Sequence, residues 1–361
     1  MAKFEGIKWA SKQMRYLLDE KKLEMLEADS KVYAVSKSIH YGIFLAFEGI
    51  RFFCQKNGNN QLELIFLNLH KNLERFQRGI SFNLGSAQQD LVPTIEELYN
   101  IFIRYFKDPA LKEFLSEMAE ISAQGYFRPF TVDEEQSIGV AFPNKPSIRA
   151  VACRYERYLG EPFSGVVIPY LVRACSINET GNLKLGVNYL MSLKAIDEAK
   201  KILPGASSAL FLDDRIFESL EKRNITEWDS SCCLFAFKDG TVIKIPESCL
   251  ILPSVTIQGI VAILKKQGIN VVERDISYGE LIHQVKKDNV ASICSVGTAG
   301  ILNRCEKLLL IDNQKKTLAV HQAGENHELY KKLGEVRTYY WELYQEKVEC
   351  PREIKLEKFT I

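Results

Sequence analysis

"GNLKLGVNYL", residues 181–190, places one lysine among glycines, leucines and a tyrosine. Gly181 and Gly186 bracket Lys184, while Asn188 and Tyr189 follow four and five residues later. Glycines mark turns, and a lone lysine in a turn is ordinarily a solvated charge. The flanks give this one a different setting. "GVVIPYLVRAC" (165–175) reads as a strand before it, and "SLKAIDEAKKIL" (192–203) has helical spacing after it. The question is whether Lys184 is held for chemistry.

The 361 residues suit two domains or one large one, and 46% hydrophobic with 26% charged residues is the composition of a soluble globular protein. A net charge of +1, from 47 basic and 46 acidic residues, offers no footprint for nucleic acid or an anionic membrane. The longest apolar runs are too short to span a bilayer, and the N-terminal stretch has no apolar core like a secretory signal. Nine scattered cysteines without a CxxC pair argue for a reducing, cytoplasmic setting and against a disulfide framework. Five scattered histidines show no metal-ligand spacing.

Along the chain, residues 12–29 read as a charged helix, and 32–53 as strand, turn and strand. "NGNN" (57–60) is a turn, followed by a strand at 62–67 and helices at 69–80 and 94–106, the latter capped by Thr94. Strands follow at 125–132 and 147–155. The pattern pauses near "RYLGEPFS" (157–164), which divides a smaller domain at 1–156 from a larger one at 164–361, with 157–163 as linker. The second part alternates strand 208–213, a hairpin at 232–246 around Asp239-Gly240, helix 254–267, strand 269–276, helix 278–288 and strand 290–302. The mixture predicts an α+β (mixed α/β) protein.

Several stretches, in order, resemble the fold-type IV enzymes that use pyridoxal phosphate, most closely the branched-chain amino acid aminotransferases. "HYGIFLAFEGIR" (40–51), "YFRP" (126–129), "RYLG" (157–160), "KLGVNY" (184–189), "FLD" with "ITE" (211–213, 225–227), "LFAFKDG" (234–240), "LPSVT" (252–256) and "VGTAG" (296–300) carry the likeness. It covers roughly residues 38–312. It implies a two-domain fold with pyridoxal 5'-phosphate between the domains. It also implies a homodimer, and transfer of an amino group from a branched-chain L-amino acid to 2-oxoglutarate.

By that resemblance Lys184 forms the Schiff base with the cofactor and later shuttles the substrate's α-proton. Glu227 faces the pyridine nitrogen, with Glu218 as its rival, and Tyr189 lies near the imine. A phosphate suits a helix N-terminus, which Ser254, Val255 and Thr256 supply, with a second turn at Thr298. The small-domain cation of the family falls on His70, or on Lys71 one residue on. Tyr126 and Arg128, two apart on one strand, share a face and suit a substrate carboxylate. Tyr41, Phe47 and Tyr158 line the pocket, and the amides of Thr298 and Ala299 take the α-carboxylate.

The chain departs from the family at Val187 and Ser254, where glycines stand, at Cys233 for asparagine, and at an insertion over 214–224. Two other readings accompany the transaminase. One is another fold-type IV enzyme, a D-amino acid aminotransferase or aminodeoxychorismate lyase. The other is a diverged homologue that binds without turnover.

Overall fold

The charged stretch 12–29, which the sequence alone reads as helix, is an antiparallel hairpin in the computed structural model: strand Lys8–Leu17 turns into strand Lys22–Glu27. Its charges meet across strands rather than along a helix. Lys12 stands opposite Glu27 and Arg15 opposite Glu24, each as an ion pair. Met14 and Tyr16 face the side opposite Arg15 and are buried.

Residues 4–158 and 162–361 are described here, and they form two units. The first unit holds the described residues through 158, together with Leu183–Val187 and Ile354–Ile361. The second holds the remainder, as far as Asn182 and from Asn188 to Glu353. Of the linker expected at 157–163, residues 159–161 lie outside the described residues, as does the side chain of Tyr158.

The first unit is built on a seven-stranded antiparallel sheet. Its order is Leu356–Thr360, Leu62–Leu67, Ile50–Lys56, Gln124–Asp133, Pro146–Tyr155, Lys8–Leu17, Lys22–Glu27. Helix Ile95–Phe106 starts as its sequence predicts, with Thr94 and Glu97 exchanging side chain and backbone bonds in a capping box. Helix Leu69–Phe82 buries Leu69, Leu73, Phe76 and Ile80 at helical spacing. The aromatic core is tight: Phe102 meets Phe127 edge-on at 4.9 Å and Phe52 meets Phe106 at 5.0 Å. The 32–53 stretch differs from its strand–turn–strand reading. Ser36 caps a short helix, Lys37–Tyr41, which Gly42 ends in the left-handed region, and strand begins only at Ile50.

The second unit has a nine-stranded mixed sheet. Its path is Ile225–Trp228, Ser208–Leu212, Phe163–Val167, Ile301–Ile311, Val290–Gly297, Cys232–Phe237, Thr241–Lys244, Asn270–Glu273. Strand Thr317–Gln322 pairs with Ile301–Ile311 off that path. Helices make the parallel connections: Tyr189–Ile202 links Phe163–Val167 to Ser208–Leu212, and Val255–Lys266 links Thr241–Lys244 to Asn270–Glu273. The strand read over 165–175 stops at Val167, two residues before Pro169. Among the described residues no helix is long and apolar enough to cross a membrane.

Candidate active site

In the first unit, Leu183–Val187 lies along residues 45–47 as a strand-like strip. Leu185 bridges Ala46, Phe47 N–H donates to the Lys184 carbonyl at 3.0 Å, and Gly186 N–H donates to the Leu45 carbonyl at 3.0 Å. Leu183 and Leu185 are buried in the core of this unit. The alternation of an extended chain therefore turns half-buried Lys184 to the other side. Its Nζ stands 4.8 Å from the centroid of the Phe47 ring.

The same ring carries a second cation. Arg128 Cζ is 4.8 Å from the Phe47 centroid and 5.0 Å from that of Tyr126, and its guanidinium donates to the Tyr126 hydroxyl. Tyr126, Arg128 and Phe130 are half-buried positions of a strand whose Gly125, Phe127 and Pro129 are buried. Among the described residues Arg128 has no carboxylate partner. Two cations stand against one ring, and Arg128 has no carboxylate among the described residues, so the arrangement favours an anionic ligand beside them. Lys184, Phe47, Tyr126 and Arg128 are thus brought together as the sequence suggests.

Gly49 is needed for that geometry. A Cβ there would collide with the Tyr126 hydroxyl. Next to it Glu48 is fully buried. It takes bonds from Arg75 Nε at 2.7 Å and Nη2 at 2.6 Å, and from Gly49 N–H at 2.7 Å. Burial alone would push the Glu48 carboxyl up. The Arg75 charge and hydrogen bond, the Lys184 charge and the Gly49 N–H together hold it below its usual value. Arg75 is absent from the sequence reading. The available signal was a charged residue between the buried positions Leu73 and Phe76.

His70 stands at the start of the same helix, its backbone N–H and Nδ1 both 3.3 Å from Glu357 Oε2 on the C-terminal strand. Lys71 beside it is half-buried. Tyr41 ends the Lys37–Tyr41 helix, exposed, with its ring against His40.

In the second unit, Glu227 on strand Ile225–Trp228 is buried and ion-paired with Arg173; it also accepts from Leu252 N–H at 3.2 Å. Arg173 is fixed by the carbonyls of Gly181 at 2.8 Å and Leu250 at 2.9 Å. That pair sets a carboxylate against a guanidinium inside the protein, whereas the rival Glu218 is exposed on its loop. Arg173 is the second residue missed from sequence, an arginine hidden in a run that reads as strand. Gly181 is obligatory here, because a Cβ would strike the Cys249 carbonyl.

Helix Val255–Lys266 begins with Ser254, whose Oγ accepts from Ile257 N–H at 3.2 Å. The amides of Val255 and Thr256 stand in the first turn, where no helix carbonyl is available to them. Ser254 has φ −89°, so replacing a glycine costs no strain there. Val187 is exposed and lies outside the left-handed region as well. Cys233 is buried with Sγ 3.3 Å from the Thr226 carbonyl, and burial pushes its thiol well up. Thr298 and Ala299 form the half-buried turn between strands Val290–Gly297 and Ile301–Ile311. Tyr189, half-buried, opens helix Tyr189–Ile202. No cluster of metal-ligating side chains occurs among the described residues.

A family model of class IV aminotransferases matches residues 45–287. Branched-chain-amino-acid aminotransferase 2 of Bacillus subtilis is 27% identical over 311 residues, covering 83% of this chain and 76% of that protein. Among solved structures, the branched-chain aminotransferase of Thermoproteus uzoniensis with norvaline aligns with a TM-score of 0.65 at 21% identity, covering 94% of this chain and 96% of that one. The branched-chain amino acid aminotransferase of Thermobaculum terrenum in its PLP form aligns with a TM-score of 0.67 at 16% identity, covering 96% and 98%. At those identities the structural likeness speaks for the fold, which is that of the fold-type IV enzymes. The match over 45–287 spans most of the chain and both of its units, so the chain belongs to the class IV aminotransferases, a family whose cofactor is pyridoxal 5'-phosphate.

Proposed function

We propose that the protein moves the amino group of a branched-chain L-amino acid to 2-oxoglutarate, with Lys184 as the amine that bonds the cofactor. The observation that carries this reading is the shared Phe47 ring, 4.8 Å from both Lys184 Nζ and the Arg128 guanidinium. A half-buried amine is set beside a cation that lacks a carboxylate, which suits chemistry on an anionic substrate.

The residues fit the cofactor. Glu227, paired with Arg173, suits a protonated ring nitrogen. The first-turn amides at Val255 and Thr256 suit a phosphate, as does the turn at Thr298. We leave His70 to Glu357, and Lys71 beside it takes no part in this reading. When bound, the cofactor supplies an electron sink for the α-carbon of the substrate.

The chain's own residues do the rest. The Lys184 amine would remove and return the α-proton of the substrate. Arg128, steadied by Tyr126, takes the distal carboxylate of 2-oxoglutarate. The amides of Thr298 and Ala299 hold the α-carboxylate. Phe47 offers its ring to the apolar side chain of the donor and shields it from water. The branched-chain donor is supported by the names of the relatives this chain resembles. Ser254 and Val187 occupy family glycine positions without left-handed backbone, which speaks against a chain that binds but does not turn over. The active form is a cytoplasmic homodimer in this reading.

The test is a donor panel with 2-oxoglutarate, run on the wild type and Lys184→Ala. Leucine, isoleucine and valine should be consumed by the wild type and left untouched by the variant, which should keep the wild-type circular dichroism. Full activity in Lys184→Ala would end the proposal.

A further inference from the structure

We propose that Arg173 is a positioning residue for Glu227: it orients the Glu227 carboxylate and leaves the shared proton on the cofactor's ring nitrogen rather than on the carboxylate. Its effect on the cofactor rests on the role given to Glu227 above.

The contact is direct. The Arg173 guanidinium forms an ion pair with Glu227 Oε1, and both side chains are buried. The same Oε1 accepts from Leu252 N–H at 3.2 Å. Two donors converging on one oxygen fix how the carboxylate is turned. The arginine is held in its own right. Its Nη2 donates to the carbonyls of Gly181 at 2.8 Å and Leu250 at 2.9 Å. Cys232 Sγ stands 3.3 Å from the Leu252 carbonyl. Residues 250–252 are thus gripped by Arg173, Glu227 and Cys232, just ahead of the Ser254 cap of helix Val255–Lys266.

A carboxylate facing a pyridine nitrogen shares one proton with it, and the stronger base keeps that proton. Burial alone strengthens a carboxylate as a base, whereas a guanidinium in contact weakens it. Arg173 supplies that guanidinium from within the same unit. Cys233, on the neighbouring strand, brings no competing charge, because burial pushes its thiol well up. A role in stability accounts poorly for the arginine. A buried ion pair gains little over its desolvation. The Arg173 Nε–H is also buried without a hydrogen-bond partner among the described residues, which costs stability rather than adding to it.

The test is solid-state nitrogen NMR at pH 8 on the full-length protein loaded with pyridoxal 5'-phosphate labelled at its ring nitrogen. The wild-type resonance should lie in the pyridinium range. Arg173→Met should move it more than halfway to the position of unprotonated pyridine, and Arg173→Lys, which keeps a cation on Glu227, should return most of that shift. Glu227→Gln should also give the unprotonated position. If Arg173→Met does not fold, Arg173→Gln reads the same sign. A merely structural arginine would lower cofactor occupancy without moving the resonance of the cofactor that stays bound. A pyridinium resonance in Arg173→Met, with the shift present in Glu227→Gln, overturns the proposal and leaves the role of Glu227 standing. A pyridinium resonance in both variants overturns that role, and the proposal with it.

Discussion

Lys184 and Phe47 are joined twice, by a 3.0 Å backbone hydrogen bond and by the ammonium 4.8 Å over the ring. The bond fixes the height of the lysine along the strip, and the ring fixes its direction. A cation over a phenyl face contributes about 1 kcal/mol. Phe47→Leu keeps the bulk and loses the quadrupole. It should lower kcat/KM by about five- to tenfold, with a melting temperature within a few degrees of wild type. Steady-state kinetics and a thermal melt check both.

Arg128 carries the acceptor's carboxylate in this account. Arg128→Met should raise KM for 2-oxoglutarate by roughly 100-fold. Arg128→Lys should recover only part of that, since an ammonium lacks the planar fork. Half-reactions with leucine alone should change little. Equal losses for donor and acceptor would place Arg128 elsewhere.

Gly49→Ala forces its Cβ into the Tyr126 hydroxyl, which holds Arg128. Kinetics should show a loss in kcat/KM of about tenfold or more, because the collision moves an anchoring arginine. Tyr126→Phe removes the colliding oxygen, so the double variant should regain activity relative to Gly49→Ala. No recovery would mean that the backbone, not the tyrosine, absorbs the clash.

The second unit has an acid-sensitive point at His321. It is buried on strand Thr317–Gln322, and among the described residues its Nε2 has no hydrogen-bond partner. Burial lowers its pKa from 6.5 to about 4, with Lys238 adding to that and Asp288 opposing it. Between those values the unfolded chain binds a proton that the folded chain refuses. Stability is therefore complete above pH 6.5, falls as pH drops toward 4, and loses about 3 kcal/mol across the window. Urea melts from pH 7 to pH 4 should show a shallower decline for His321→Gln.

Local signals in the sequence sufficed where structure is local. Helix Ile95–Phe106 could be read because Thr94 and Glu97 close a capping box within four residues. The hairpin 232–246 could be read from Asp239-Gly240, and Gly240 indeed takes φ +93°. The hairpin at 8–27 could not, because lysine and glutamate at helical spacing look the same whether they pair along a helix or across two strands. Strand Leu356–Thr360 went unread because its partner, Leu62–Leu67, is remote in sequence. At the site, Lys184, Phe47, Tyr126 and Arg128 were legible from motifs. Arg75 and Arg173 were not, since each is defined by a distant carboxylate, Glu48 or Glu227.

The most direct measurement is borohydride reduction of the purified protein loaded with pyridoxal 5'-phosphate, followed by peptide mapping. A single phosphopyridoxyl adduct on Lys184 is the predicted result, with loss of the cofactor's visible band. An adduct on another lysine, or none on Lys184 at saturating cofactor, would contradict the account.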